Sequence, residues 1–174
     1  MAQLPILQYP HPILAAKAEQ VTDFNEALST LARDMAETMY AAPGVGLAAN
    51  QVGVLKRIIV VDVSEEGNNL LTLVNPEILV ADGDLQVHEE GCLSLKGLYE
   101  NVKRPSHVVV RAQNLKGESF DIEAEGLLAI CLQHEIDHLN GVVFIDHLSL
   151  LKKTRACTKL QKLKRERERE KKAD

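Results

Sequence analysis

Between Phe24 and Tyr40, apolar residues recur at steps of three and four (Leu28, Leu31, Met35, Met39), which predicts an amphipathic helix ended by Pro43-Gly44. The rhythm then changes. Arg57 to Val63 is a β-branched, apolar run, read as a buried strand. Glu66-Gly67-Asn68-Asn69 supplies turn residues, and a short strand at Leu71–Val74 follows, closed by Asn75-Pro76. Leu85–His88 and Val108–Ala112 read as further strands, and Asn114–Gly117 as the turn of a hairpin that returns through Phe120–Ile122. From Glu123 to Asn140, apolar residues such as Leu127, Ile130, Leu132, Ile136 and Leu139 cover more than one face. That predicts a helix running through the core, stopped by Gly141. From Leu150 onward the chain is helical in character, with a thin stripe of Cys157, Leu160 and Leu163. Beyond about Lys164 only the alternation Arg165-Glu166-Arg167-Glu168 and its continuation remain, a solvated face expected to fray.

Strands that come in a run, with helices at both ends and one through the middle, predict an α+β fold. Antiparallel β-sheets would pack around the central helix, with a further helix at the C-terminus. The 174 residues suffice for one domain with a real core. Charge divides it further. Residues 151–174 hold eleven Lys and Arg against four Asp and Glu, so +7 of a net −5 sits there and the preceding 150 residues carry −12. The expectation is an acidic catalytic body, residues 1–150, and a basic helical tail, residues 151–174. An overall acidic chain is not a general nucleic-acid binder. Three irregularly spaced cysteines make no secreted disulfide framework, no basic leader precedes an apolar run, and no apolar stretch spans a bilayer. A soluble, cytoplasmic protein is expected, with no membrane partner.

The central helix also carries His134-Glu135-Ile136-Asp137-His138, an H-E-x-x-H pattern. Residues four apart lie one above the other on a helix, so both imidazoles can reach one metal ion, with Glu135 beside a water at that ion. A catalytic site of this kind takes three protein ligands and keeps one position open. No glutamate follows His138 until Glu166, and Phe144 stands where a third histidine of an extended H-E-x-x-H-x-x-G-x-x-H pattern would fall. His147 lies nine residues past His138, out of register, and reads as a surface histidine. Cys92, in Glu90-Gly91-Cys92-Leu93-Ser94, is the remaining candidate. A thiolate is a strong ligand for a soft or borderline ion, yet a single cysteine is as readily a small buried hydrophobe.

Three segments together resemble one family. Gly44-Val45-Gly46-Leu47-Ala48-Ala49-Asn50-Gln51 is similar to the G-x-G-x-A-A-x-Q motif of peptide deformylases, Glu90–Ser94 to their E-G-C-x-S motif, and Gln133–His138 to their Q-H-E-x-D-H motif. The order and approximate separations match, and the likeness runs from Ile6 to about Leu148. One departure is Leu95-Lys96, where the family often has an aliphatic residue and proline; without that proline the loop gains freedom in φ and a backbone donor.

The resemblance implies hydrolysis of the N-formyl group from the initiator methionine of nascent polypeptides, with release of formate. It implies Cys92, His134 and His138 as metal ligands, with iron(II) as the native ion and zinc, nickel or cobalt as substitutes. Glu135 would act as base, and the Gln51 carboxamide and Leu93 N–H as donors to the developing oxyanion. Val45, Gly46, Gly91, Tyr99, Leu127, Ile130 and Cys131 would line the substrate site. Of these, Val45, Leu127, Ile130 and Cys131 suit the methionine side chain and equally suit ordinary core, while Tyr99 belongs near the mouth. Asp137 is expected to orient a neighbour rather than bind metal. A monomer is expected, with its basic tail able to dock on ribosomal RNA. Two other readings carry less: a zinc endopeptidase lacks its downstream ligand, and a structural metal site would need a fourth.

Overall fold

The computed structural model describes residues 2–173; Met1 and Asp174, the outer residues of the two expected segments, lie outside them. Helix α1 spans Glu26–Ala41. Asn25 caps it, its side-chain oxygen accepting from the Leu28 N–H at 3.1 Å, so Phe24 stays outside the helix. Leu28, Ala32, Met35 and Met39 are buried along one stripe.

Five antiparallel strands form a single sheet in sequential order: β1 Gly46–Ala48, β2 Ile58–Val61, β3 Leu71–Gly91, β4 Tyr99–Gln113 and β5 Ser119–Glu125. Strand β2 is buried on both faces, which explains its uninterrupted apolar run. Ile58 and Val60 pack with Met35, Met39 and Leu47 on the α1 side. Ile59 and Val61 pack with Leu73, Leu132, Ile136 and Leu139 on the other. The short strands expected at 71–74 and 85–88 are parts of one 21-residue strand. Asn75-Pro76 does not end it. The register shifts between Val74 and Glu77, between Ile78 and Val80, and between Asp82 and Leu85, and such bulges bend a strand while hiding its alternation. The expected hairpin is present: Gly117 N–H donates to the Asn114 carbonyl at 3.0 Å, between β4 and β5.

Helix α2 spans Gly126–Leu139, and ten of its fourteen residues are buried. It begins three residues later than expected because Glu123–Glu125 still pair with β4, and Gly126 turns the chain at φ 62°. Gly141 stops it at φ 76°, where a Cβ would stand 2.5 Å from the Ala15 carbonyl oxygen. Helix α3, Leu150–Ala173, buries Ala156 and Leu160 in a third cluster with Leu95, Leu98, Val102 and Phe144. The tail is held one turn beyond Lys164, since Arg167 Nη1 donates to the Lys96 carbonyl at 3.2 Å. No helix among the described residues is long and apolar enough to cross a membrane.

Candidate metal centre

Three elements converge on one point. The end of β3 leads into Cys92, the C-terminal half of α2 carries His134 and His138, and a short 3-10 turn, Ala49–Val52, carries Gln51. Asn50, buried, ties that turn to α2 by donating to the His138 carbonyl at 2.8 Å and to the Ala16 carbonyl at 2.9 Å. The Cys92 sulfur and one nitrogen of each histidine lie within 4.8 Å of one another. Cys92 Sγ is 3.3 Å from His138 Nε2, which is 3.3 Å from His134 Nε2. An ion held at ~2.0–2.1 Å by nitrogen and ~2.3 Å by sulfur keeps tetrahedral ligands about 3.3–3.7 Å apart, so the donors fit a metal.

The surroundings fit it too. His134 Nδ1 lies 2.9 Å from Glu90 Oε1, an acceptor that draws the ring proton onto Nδ1 and leaves Nε2 as a lone pair. Burial works against charge on His134, but the charge of Glu135, the Cys92 sulfur and Glu90 outweigh it and raise the imidazole well above its usual range. A cation among the three donors would replace that proton. Burial holds His138 well below the usual range, hence neutral, as a ligand must be.

Behind His134 stands a buried network. Arg104 Nε and Nη2 donate to the two Glu90 oxygens at 2.6 and 2.9 Å, and its Nη1 donates to Asp137 Oδ2 at 2.9 Å. Asp137 also lies 2.8 Å from His147 Nε2, so it orients neighbours, and His147 is more than a free surface histidine. Burial alone would raise Glu90; the hydrogen bonds from His134 and Arg104 instead hold it down to about 2.

Glu135 is the opposite case. It is 5% exposed, its Oε1 has no hydrogen-bond partner among the described residues, and burial pushes it up to about 7 against the pull of His134. Gly46 makes room for it: a Cβ there would lie 2.5 Å from Glu135 Oε2. Gln51 Nε2 donates to Ser94 Oγ at 3.1 Å and points at Cys92 Sγ at 3.5 Å, while its Oε1 accepts from the Ala48 N–H at 3.0 Å. The Leu93 N–H has no partner among the described residues, although its carbonyl accepts from Gln8 Nε2 at 2.9 Å.

A cleft of about 840 Å³ opens above these groups. Val45, Gly46, Gln51, Gly91, Cys92, Leu93, Tyr99, Leu127, Ile130, Cys131, His134 and Glu135 all line it, and His138 lies fully buried beneath. Burial, then the charges of Glu135 and Glu90, push the Cys131 thiol up to about 12, so it stays protonated and serves as apolar wall. Tyr99 is 60% exposed and lies over Gly91, where a Cβ would meet its ring at 2.5 Å. Gly44, His88, Glu89 and Lys96 also line the cleft and are not among the residues expected there, and neither Glu90 nor Arg104 carries an expected role. The signal for Arg104 was its place two residues from buried Val102 on one strand, which puts a cation inside and demands an acid.

The polypeptide deformylase family model matches residues 3–154. The chain is 54% identical over 162 residues to a peptide deformylase of Hahella chejuensis, covering 93% of this chain and 96% of that protein. Among solved structures, a peptide deformylase from Legionella pneumophila superposes with a TM-score of 0.92 at 48% identity, covering 97% of this chain and 99% of the other. One from Ehrlichia chaffeensis, in complex with actinonin, has a TM-score of 0.89 at 40% identity, covering 95% and 99%.

Proposed function

This chain belongs to the polypeptide deformylase family, and from that premise we infer which of its residues carry the reaction and with which ion. The reaction is metal-dependent hydrolysis of the N-formyl group from the N-terminal methionine of newly synthesised polypeptides, releasing formate. Cys92, His134 and His138 would hold the ion, which when bound acidifies water at neutral pH and polarises the formyl oxygen. Glu135 takes the proton from the attacking water at its free carboxylate oxygen and later returns it to the departing amine nitrogen. Gln51 Nε2 and the Leu93 N–H donate to the oxygen on which negative charge builds; one such donor typically lowers the barrier by about 2.7–4 kcal/mol. Val45, Leu127, Ile130 and Cys131 receive the methionine side chain, Gly46 and Gly91 let the peptide approach the backbone, and Tyr99 covers the mouth.

The observation that carries this reading is three metal-type donor atoms within 4.8 Å beside a buried carboxylate with a free oxygen. It is tested by formate release from a formyl-Met peptide with anaerobically purified protein, metal content being measured on the same sample. Stoichiometric metal without formate would refute it.

Iron(II) is the ion we assign in the cell, because two imidazoles and a thiolate suit it and the family resemblance implies it; zinc, nickel and cobalt suit the same donors. Activity should then decay in air, as iron and the Cys92 sulfur oxidise, and persist with nickel or cobalt. Equal, air-stable activity with zinc would overturn the assignment.

The enzyme acts as a cytoplasmic monomer on nascent chains, with residues 1–150 as the catalytic body and residues 151–174 as a basic helix that docks on ribosomal RNA. The +7 tail supports docking. Replacing the exposed Lys152, Arg155, Lys159, Lys162 and Lys164 by Gln removes five of the seven net charges and spares the buried Ala156 and Leu160, so it should leave hydrolysis of short peptides near normal while weakening sedimentation with ribosomes at low salt. Equal sedimentation would refute docking.

A further inference from the structure

Beyond the formyl-methionine subsite, the cleft continues along the loop that joins β3 to β4. Two tight turns shape this loop: Leu95 N–H donates to the Cys92 carbonyl at 3.0 Å, and Leu98 N–H to the Leu95 carbonyl at 3.2 Å. Leu95 and Leu98 are fully buried, so the loop is pinned from below, and Lys96 between them is exposed and forms part of the cleft wall. The Lys96 ammonium has no ion-pair partner among the described residues. A second cation stands against the same residue, since the half-buried Arg167 donates to the Lys96 carbonyl at 3.2 Å and Leu163 packs under Gly97. The charges deeper in the cleft are already committed: Glu90 to Arg104 and His134, and Glu135 to the chemistry. Glu89, on β3, is the exposed carboxylate that lines the cleft.

Distance sets which part of a substrate meets Lys96. The Cys92–Leu95 turn keeps its ends within about 7 Å, and Lys96 follows one residue, ~3.8 Å, further on, so the two stand within about 11 Å of each other. An extended peptide advances ~3.3 Å per residue, so its second or third residue after the formyl-methionine comes alongside.

We propose that Lys96, backed by Arg167, is a specificity-determining residue that favours substrates with an acidic side chain two or three residues after the formyl-methionine. The proposal rests on the deformylase reading of the site. The preference is an exposed, long-range charge interaction, so it acts on KM and is screened by salt.

The test compares C-terminally amidated formyl-Met-Ala-Asp, formyl-Met-Ala-Ser and formyl-Met-Ala-Lys as substrates of the full-length, metal-loaded protein. The expected kcat/KM at low salt is about two- to five-fold higher for the Asp than for the Lys peptide, with the Ser peptide between. The difference shrinks at high salt, and Lys96→Glu inverts the order through KM while kcat keeps its rank. Equal kcat/KM for all three peptides, or an Asp-to-Lys ratio that Lys96→Glu leaves unchanged, overturns the proposal alone. Hydrolysis of none of the three overturns the deformylase reading and this inference with it.

Discussion

On one side of α2, Glu90 accepts two hydrogen bonds from Arg104 and meets His134 Nδ1; on the other, Glu135 lies against Gly46 with one oxygen unpaired. Both carboxylates are 5% exposed, so burial alone does not distinguish them. Partners do. A carboxylate given a cation and fixed donors stays charged and rigid, down to about 2, and can orient a ligand. A carboxylate given neither rises to about 7, where it can both take and give a proton near neutrality. On the proposed reading, one region holds His134 still for a metal, and the other moves protons.

The comparison breaks most completely if the ligands themselves are removed. Cys92→Ala, His134→Ala and His138→Ala should each lose nearly all bound metal by elemental analysis and bring formate release to background, with some loss of stability as well. A Cys92→Ala protein with full metal occupancy would return Cys92 to the core.

Next comes the cleft side. Gly46→Ala sets a methyl group where Glu135 Oε2 lies, so the carboxylate must shift while the three ligands stay in place. A displacement of that order costs about 10²-fold in kcat/KM. Metal content should be unchanged, and a variant that loses metal and activity in parallel would show that Gly46 serves the fold instead.

Glu90→Gln probes the anchored side. It should weaken metal binding by about 10–100-fold, read by competition with a chelator, and it leaves the Arg104 charge buried beside a neutral amide. Undiminished affinity would mean that His134 is oriented by packing alone.

The smallest effect is a pair of opposite pH slopes in the metal-free protein, followed by thermal unfolding. Glu90 is depressed, so its contribution is present above its ordinary value of 4.5 and is lost as pH falls towards about 2; the stability gap between wild type and Glu90→Gln should close over that window. Glu135 is raised, so the folded state binds the extra proton between 4.5 and about 7, and its contribution falls as pH rises through that window. Glu135→Gln should therefore gain on wild type as pH rises from 4.5 to about 7. Slopes of the same sign would dissolve the contrast between the two groups.

Much of this is legible in the amino-acid sequence itself. His134, Glu135 and His138 declare themselves because helix geometry acts over four residues, and Cys92 and Gln51 lie in short motifs. Helices α1 and α2 and the β4–β5 turn follow from periodicity and turn chemistry. The anchored region was less visible. Arg104 is fourteen residues from Glu90 and thirty-three from Asp137, and nothing local pairs them; the long bent strands β3 and β4 and the helix α2 do so in space. Strand β3 itself was hidden, since bulges at Asn75-Pro76 and around Gly83 break the alternation that reveals a strand and carry turn residues besides. The anchor beyond Lys164 leaves no trace in the sequence, because Arg167 holds α3 through a backbone carbonyl, which no side-chain pattern displays.

The division of labour between the two glutamates is tested most directly by Glu135→Gln, measured for metal content and formate release on one anaerobic preparation. The amide keeps the shape of the side chain and cannot accept the proton. Full metal occupancy with turnover lowered by about 10²–10⁴-fold is the predicted result. Turnover within a few-fold of wild type at full occupancy would contradict it.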